Sequence, residues 1–322
     1  MTDVSSICSL YLKICEQRKN LSKYTLKAYR LDLAQFELIV GSDLGIASIT
    51  KVELANFHHK LVELELAPSS IKRKIACVRA MFRWLELDEV VQLNPFHQFR
   101  AEIKLPRKLP KNVAASELHK MIQCGKSDLG MASHATYQEE ELLLGIETKK
   151  SLNKLSTLMA LELMLSTGMR VGELAGICIS NIDIDERKIK ILGKGARERY
   201  VYLPDADLCE LARAYIKARQ MVEPQDSNFL VNSRGSPAST QFLRKLIKNI
   251  ATRASTKNKV TPHMLRHSAA CELLESGLDI RFVQRLLGHS SISTTEIYTH
   301  VSDSLLKEKV TLADVRGRIM KK

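Results

Sequence analysis

The sequence predicts a mainly α protein with a small antiparallel β-sheet, divided into an all-helical N-terminal domain and a larger α+β domain. Three observations carry this. Apolar residues recur at helical spacing through residues 1–90, with capping signals between the runs. The periodicity stops across 94–112 (NPFHQFRAEIKLPRKLPKN), where Pro95, Pro106 and Pro110 alternate with five Lys/Arg and mark a basic linker. Beyond it, helical runs flank short β-forming segments on either side of Gly193-Lys194-Gly195. A chain of 322 residues has room for two domains. They are placed at 1–93 and 113–322, with 94–112 between them.

Composition narrows the class. Hydrophobic content of 45% and charged content of 26% describe an ordinary soluble globular protein. No apolar run approaches the roughly 18 residues that span a membrane. Asp3, Lys13 and Glu16 interrupt any signal-peptide core, so a cytoplasmic location with no membrane partner is expected. The seven cysteines are scattered, without a C-x-x-C pair or a Cys/His cluster at zinc spacing, and read as free thiols with no metal site. Net charge is +13 and both halves are basic, so both are suited to one polyanion, of which nucleic acid is the commonest.

The first helix is read from Ile7, Leu10, Tyr11 and Ile14. Ser22 caps a second, with Leu26, Tyr29, Leu33 and Phe36 inward, broken by Gly41 and Gly45. Thr50 and Glu53 form a capping box for a third, with Leu54, Phe57 and Leu61 inward. Pro68 and Ser69 open a fourth, with Ile71, Ile75, Val78, Phe82 and Leu85 inward. That helix carries Lys72, Arg79 and Arg83 as one basic stripe, and the second carries Lys27 and Arg30. A basic stripe is ordinarily a solvated face; in a chain this basic, these five are candidate contacts to the polyanion. His58 and His59 are adjacent, point apart on a helix, and read as surface residues.

In the second domain Ser116 is read as the cap of a helix running to about Cys124. Residues 125–151 read as a flexible insertion with a helical turn at 142–144. Leu152–Leu165 is a helix ended by Gly168. TGMRVGEL then puts Arg170 at the start of the next helix and Glu173 one turn on. Residues 177–184, 188–192 and 200–203 read as strands, the last two forming a hairpin with Lys194 in its turn. This is no phosphate loop, which needs G-x-x-x-x-G-K-[S/T] before a helix. Helices follow at about 205–221 and 239–255, separated by a turn at Ser233–Pro237. Thr261 is an N-cap and Pro262 the first helical residue of a helix on which His263 and Arg266, three apart, share a face. Gly288 ends a short helix at Leu287 and leaves His289 at the break. Ser293 and Glu296 form a capping box, with Tyr298 in the first turns of its helix. Leu305, Leu306, Val310, Leu312 and Val315 predict one further amphipathic helix, packed on its own domain.

Singly, a histidine near a helix start is ordinarily a cap, and a tyrosine is ordinarily core with its hydroxyl bonded. The ordered set is another matter. Arg170 in TGMRVGEL, Lys194 in the hairpin, His263 and Arg266 in TPHMLRHS, and His289 and Tyr298 in LLGHSSISTTEIYTH resemble the tyrosine recombinases, the phage-integrase and Xer-like family, at all six principal positions in family order. The resemblance is strong over about 152–300. Over 1–100 it is one of pattern: four short helices with basic stripes resemble the core-binding, SAM-like domain of that family. The 125–151 stretch departs from it.

The resemblance implies a site-specific recombinase with a catalytic domain in the second half. Tyr298 would be the nucleophile, forming a covalent 3′-phosphotyrosyl intermediate. Arg170 and Arg266 would hold the non-bridging phosphate oxygens, Lys194 would be the general acid, and His263 the base or proton shuttle. His289 would hydrogen-bond the phosphate and Glu173 would orient the site. One phosphoester replaces another, so no cofactor is needed. The implied partners are duplex DNA with inverted half-sites and the chain itself, as a synaptic tetramer exchanging strands through a Holliday junction. Accessory DNA-bending or directionality proteins would fit the same scheme. In the family the C-terminal tail often docks on a neighbouring protomer. The implied tasks are integration and excision, transposition of a mobile element, or resolution. Two alternatives stand beside this one: a type IB topoisomerase-like relaxing enzyme, and a non-catalytic sequence-specific DNA-binding protein, against which the intact Tyr298 and both arginines argue.

Overall fold

The computed structural model describes residues 3–19, 21, 23–104, 112–193, 198–288 and 303–321. The chain divides into two units, Met1–Lys108 and Leu109–Lys322.

The N-terminal unit is built from α1 (Val4–Gln17), α2 (Lys23–Val40), α3 (Lys51–Glu63) and α4 (Pro68–Leu87). Asp3 caps α1 by accepting from the Ser6 amide. The Thr50–Glu53 capping box forms: Thr50 N donates to Glu53 Oε2 at 2.7 Å and Thr50 Oγ1 accepts from Val52 N. Ser22, the expected cap of α2, lies outside the described residues. Tyr11, Leu33, Phe36, Phe57, Leu61 and Phe82 meet in the core, with Phe36 edge-on to both Phe57 and Phe82. Of the positions that mark the first helix, Ile7 and Tyr11 are buried with Cys8 and Cys15, while Leu10 is 46% exposed. An ionic cluster lies inside: fully buried Asp32 of α2 accepts from Lys74 Nζ at 3.0 Å and from Arg73, tying α2 to α4. Residues 94–104, read as the start of the linker, continue this unit. Pro95–His97 is a 3₁₀ turn, and Phe96, Phe99, Ala101 and Ile103 pack on the helical core. Their apolar area outweighs the extended tendency that the prolines signal.

The C-terminal unit is organised around α7 (Ser151–Thr167), which is buried along nearly its whole length, its polar Ser156, Thr157 and Glu162 included. Packed on it are α5 (Ala115–Asp128), α9 (Ala206–Ala218), α10 (Thr240–Arg253) and α11 (Pro262–Glu275). Two boundaries differ from expectation. The N-cap of α5 is Ala114, not Ser116, and the helix continues past Cys124. Gly125 does not break it because its missing Cβ lets α7 approach; a Cβ there would meet Leu158 Cδ1 at 2.9 Å. The stretch read as a flexible insertion is packed. It contains α6 (Glu139–Leu144), and Tyr137, Leu142 and Ile146 are buried in the core. Tyr137 donates its hydroxyl to Glu162 of α7, and Lys126 lies over the Tyr137 ring while donating to Ala135 O.

A three-stranded antiparallel sheet of β1 (Ile182–Asp183), β2 (Lys188–Leu192) and β3 (Glu198–Tyr202) runs in chain order. The hairpin register pairs Lys188 with Tyr202 and Leu192 with Glu198. The expected strand 177–184 shrinks to two residues because Asn181 accepts from Cys178 N at 3.0 Å and tightens 179–181 into a 3₁₀ turn. Two short helices, α8 (Val171–Ala175) and α12 (Ile280–Leu287), complete the unit beside the sheet. The tail is two helices, α13 (Asp303–Ala313) and α14 (Val315–Lys321), broken at Asp314, whose φ is +37°. Val310, Ala313, Val315 and Ile319 are buried in this unit's own core, while Leu312 is 69% exposed. No helix among the described residues is long and apolar enough to cross a membrane.

Candidate active site

The site forms where the ends of α7, α8, α11 and α12 meet β3. Gly168 ends α7 in a left-handed conformation, φ +62°, and its Cα faces Leu287; a Cβ there would lie 2.5 Å from Leu287 Cδ2. The chain then turns into Arg170, the N-cap of α8. Its amide donates to Glu173 Oε2 at 2.7 Å, and its Nη1 donates to Glu173 Oε1 at 2.9 Å. On α11, Thr261 caps the helix as expected, with its side chain accepting from Met264 N, and Arg266 lies one turn further along. Arg266 Nη1 donates to Gly168 O at 2.8 Å and Nη2 to Leu287 O at 2.7 Å. Gly288 caps α12 with φ +65°, where the sequence placed it.

A helix C-terminus leaves carbonyls without partners and carries partial negative charge. Here guanidinium groups fill that role for α12. Leu286 O accepts from Arg199 Nε at 2.9 Å, and Leu287 O from Arg266. Arg170 reaches Leu287 O and Gly288 O at 3.4 and 3.3 Å. Three guanidiniums therefore converge on one carboxylate and one helix end. Glu173 is the carboxylate, and its side chain is only 8% exposed. Burial alone would push its pKa up; the hydrogen bonds from Arg199 and the Arg170 amide more than offset this and hold it below the ordinary range. Burial, with Arg170 alongside, lowers Arg266 to about 10, so it stays charged at neutral pH. The cluster carries three positive charges against one negative. Arg170 is the most accessible of the three, its side chain 41% exposed.

Of the residues expected in the site, the structure brings together Arg170, Glu173 and Arg266. His263 is on α11, one turn before Arg266, and is exposed. Lys194, His289 and Tyr298 lie outside the described residues. Sequence reasoning missed Arg199. Its signal was its register: in β3 the side-chain period of two puts Arg199 on the same face as buried Val201, an unusual place for an arginine. In the N-terminal unit Lys27, Arg30, Lys72, Arg79 and Arg83 are all exposed, with the Arg79 guanidinium 5.1 Å from the centre of the Phe96 ring.

Fold and site together define a class: a small four-helix unit followed by an α+β unit that concentrates guanidinium charge for an anionic group. Comparison with known proteins is specific. Residues 135–304 match the model of the Phage integrase family, and residues 9–89 match that of the Phage integrase, N-terminal SAM-like domain. The chain is 33% identical over 310 residues to a tyrosine recombinase of Agathobacter rectalis, covering 96% of both chains. It is 30% identical over 321 residues to tyrosine recombinase XerC of Bacillus subtilis strain 168, covering 95% of each. Among solved structures, XerH site-specific recombinase bound to a palindromic difH substrate aligns at a TM-score of 0.66 and 20% identity, covering 98% of this chain and 83% of that one. A lambda integrase tetramer bound to a Holliday junction aligns at 0.64 and 20%, covering 94% and 81%. The chain belongs to the phage integrase family of tyrosine recombinases.

Proposed function

We propose that the chain cleaves and rejoins duplex DNA through Tyr298, with Arg170, Lys194, His263, Arg266 and His289 as its catalytic partners and Glu173 as their support. The observation that carries this is the guanidinium cluster on Glu173 and the end of α12, whose net charge is +2. A phosphodiester carries one negative charge. Attack by a tyrosine oxygen makes a pentavalent phosphorus bearing two, which the Arg170 and Arg266 guanidiniums match. In the step proposed, His263 takes the Tyr298 proton and the tyrosine oxygen bonds to phosphorus. The bond from phosphorus to the 5′ oxygen breaks, and Lys194 protonates that oxygen. A 3′-phosphotyrosyl ester and a free 5′ hydroxyl result. Attack by another strand's hydroxyl reverses the step, so the backbone is resealed without a cofactor. Lys27, Arg30, Lys72, Arg79 and Arg83 would contact the DNA backbone in the cytoplasm. The protein would work as a tetramer on paired inverted half-sites, exchanging strands through a Holliday junction, with accessory DNA-bending or directionality proteins able to bias the outcome.

The test uses nicked suicide duplexes, tiled across the DNA flanking the gene, in EDTA. Wild type should give a denaturation-resistant protein–DNA adduct. Tyr298→Phe should bind the same duplex and give none. An adduct that survives this substitution removes Tyr298 as the nucleophile.

A further inference from the structure

We propose that Arg199 is a positioning residue for strand transfer: it neutralises Glu173 and fixes the end of α12, so that Arg170 and Arg266 keep their charge for the phosphate. This rests on the reading of Arg170 and Arg266 as phosphate ligands. The geometry sets Arg199 apart from the other two arginines. All three of its guanidinium nitrogens are committed to protein acceptors. Nη1 donates to Glu173 Oε1 at 2.9 Å, Nη2 to Glu173 Oε2 at 2.8 Å and Nε to Leu286 O at 2.9 Å. The first two form a bidentate fork, the strongest arrangement an arginine makes with a carboxylate. Its side chain is 14% exposed. Such a group is placed to hold other groups, not an incoming ligand.

Without it, the charges rearrange in a predictable way. Glu173 is buried, and its other partners are Arg170 Nη1 at 2.9 Å and Arg266 Nη1 at 3.9 Å. A buried carboxylate stripped of its fork draws on the nearest cations, which are the two groups proposed to hold the phosphate. The cluster falls from +2 to +1 just where negative charge must accumulate. Arg199 also sits against the helix end itself. A Cβ on Gly288 would lie 3.1 Å from its Cζ and Nη1, so the glycine that ends α12 lies against the guanidinium plane. Arg199 pairs with Ile191 in the β2–β3 ladder, so it also ties these two strands, between which Lys194 falls in sequence, to the Arg170–Glu173 box.

The test is a double-mutant cycle, read as the single-turnover rate of adduct formation on a suicide duplex at saturating DNA, at a temperature below each variant's melting transition. Arg199→Met should slow adduct formation by about 10²-fold, as a misplaced or mispaired anion site does, with DNA affinity unchanged. Adding Glu173→Gln should restore roughly tenfold, the coupling expected within one charge network. Arg199→Lys keeps the charge and loses the fork, and should fall well short of the loss in Arg199→Met. A merely structural arginine predicts the opposite: Glu173→Gln would add to the loss, and Lys and Met would be equally poor. Either of those results, or a wild-type rate in Arg199→Met, overturns the proposal. If Arg199→Met does not melt cooperatively, Arg199→Gln serves in the same cycle. Wild type and Tyr298→Phe run alongside; if wild type gives no adduct, or Tyr298→Phe gives one, it is the reading of the reaction that fails, and not the role of Arg199.

Discussion

Replacing Arg316 with methionine should destabilise the C-terminal unit by about 3–5 kcal/mol, the cost of removing one partner from a buried ion pair. Arg316 lies on α14 with its side chain 10% exposed, and it meets four groups. Nε bonds Glu162 Oε2 at 3.2 Å, Nη1 lies 3.4 Å from Asp205 Oδ2, Nη2 pairs with Asp207, and the guanidinium lies 4.9 Å from the centre of the Tyr137 ring. These do not weigh equally. Asp205 and Asp207 keep 29% and 16% of their side chains in solvent, and water replaces much of what the arginine gave them. Glu162 is fully buried, and without Arg316 it keeps, among the described residues, the hydrogen bond from the Tyr137 hydroxyl. The uncompensated Glu162 charge therefore dominates the loss, while methionine retains the packing of the arginine stem. At about 2–4 °C per kcal/mol for a unit of this size, the melting transition should fall by about 6–20 °C. Thermal denaturation followed by circular dichroism reads it. Glu162→Gln in the same background should recover part of the loss, since it removes the buried charge. A loss below about 1 kcal/mol, the range of an exposed pair, would refute the reasoning.

Neutralising Lys72, Arg79 and Arg83 together to glutamine should weaken DNA binding and reduce the slope of log K against log salt by about 2–3, since each phosphate contact releases roughly 0.9 counterion; an unchanged slope returns the stripe to solvent. The Glu173 pKa is depressed in the folded state, so the stability it contributes is present above the unfolded value near pH 4 and is lost as pH falls through the folded value. Glu173→Gln should therefore flatten the acid limb of stability against pH below about pH 4, and a limb of the same steepness would mean other carboxylates govern it.

What the sequence made legible was local. The Thr50–Glu53 box, the Thr261 cap, and Gly168 and Gly288 as helix ends each follow from one or two residues, and each is in place. The boundaries that moved are those decided by distant partners. Gly125 reads as a helix breaker until Leu158 is seen to need the space of its missing Cβ. Residues 125–151 read as loose because their polar stretches hide three anchors, Tyr137, Leu142 and Ile146, spaced too irregularly to show a period. The tail breaks at Asp314, whose side chain accepts from Gly317 N at 3.0 Å, and the helix beyond the break places Arg316 against Glu162, 154 residues earlier. The linker shortened for the same reason, since Phe96 and Phe99 have rings to pack against only once α4 and α3 are assembled.

The site divides along the same line. Arg170, Glu173 and Arg266 were legible because each lies in a short motif with its own helix cap. Arg199 was not, because its two essential neighbours, Glu173 and the carbonyl of Leu286, are 26 residues before it and 87 after. Yet it is Arg199 that resolves a physical difficulty in the motif itself. On the reaction proposed, a buried glutamate beside two arginines that hold phosphate would compete for them, and a site with only Glu173, Arg170 and Arg266 would have one net positive charge to set against a doubly negative transition state. A third guanidinium, committed wholly to protein acceptors, lets the glutamate order the loop without weakening the site. On that proposal the carboxylate and the end of α12 are the fixed acceptors behind the arginines, and the accessible face of Arg170, 41% exposed, would be left for the anion.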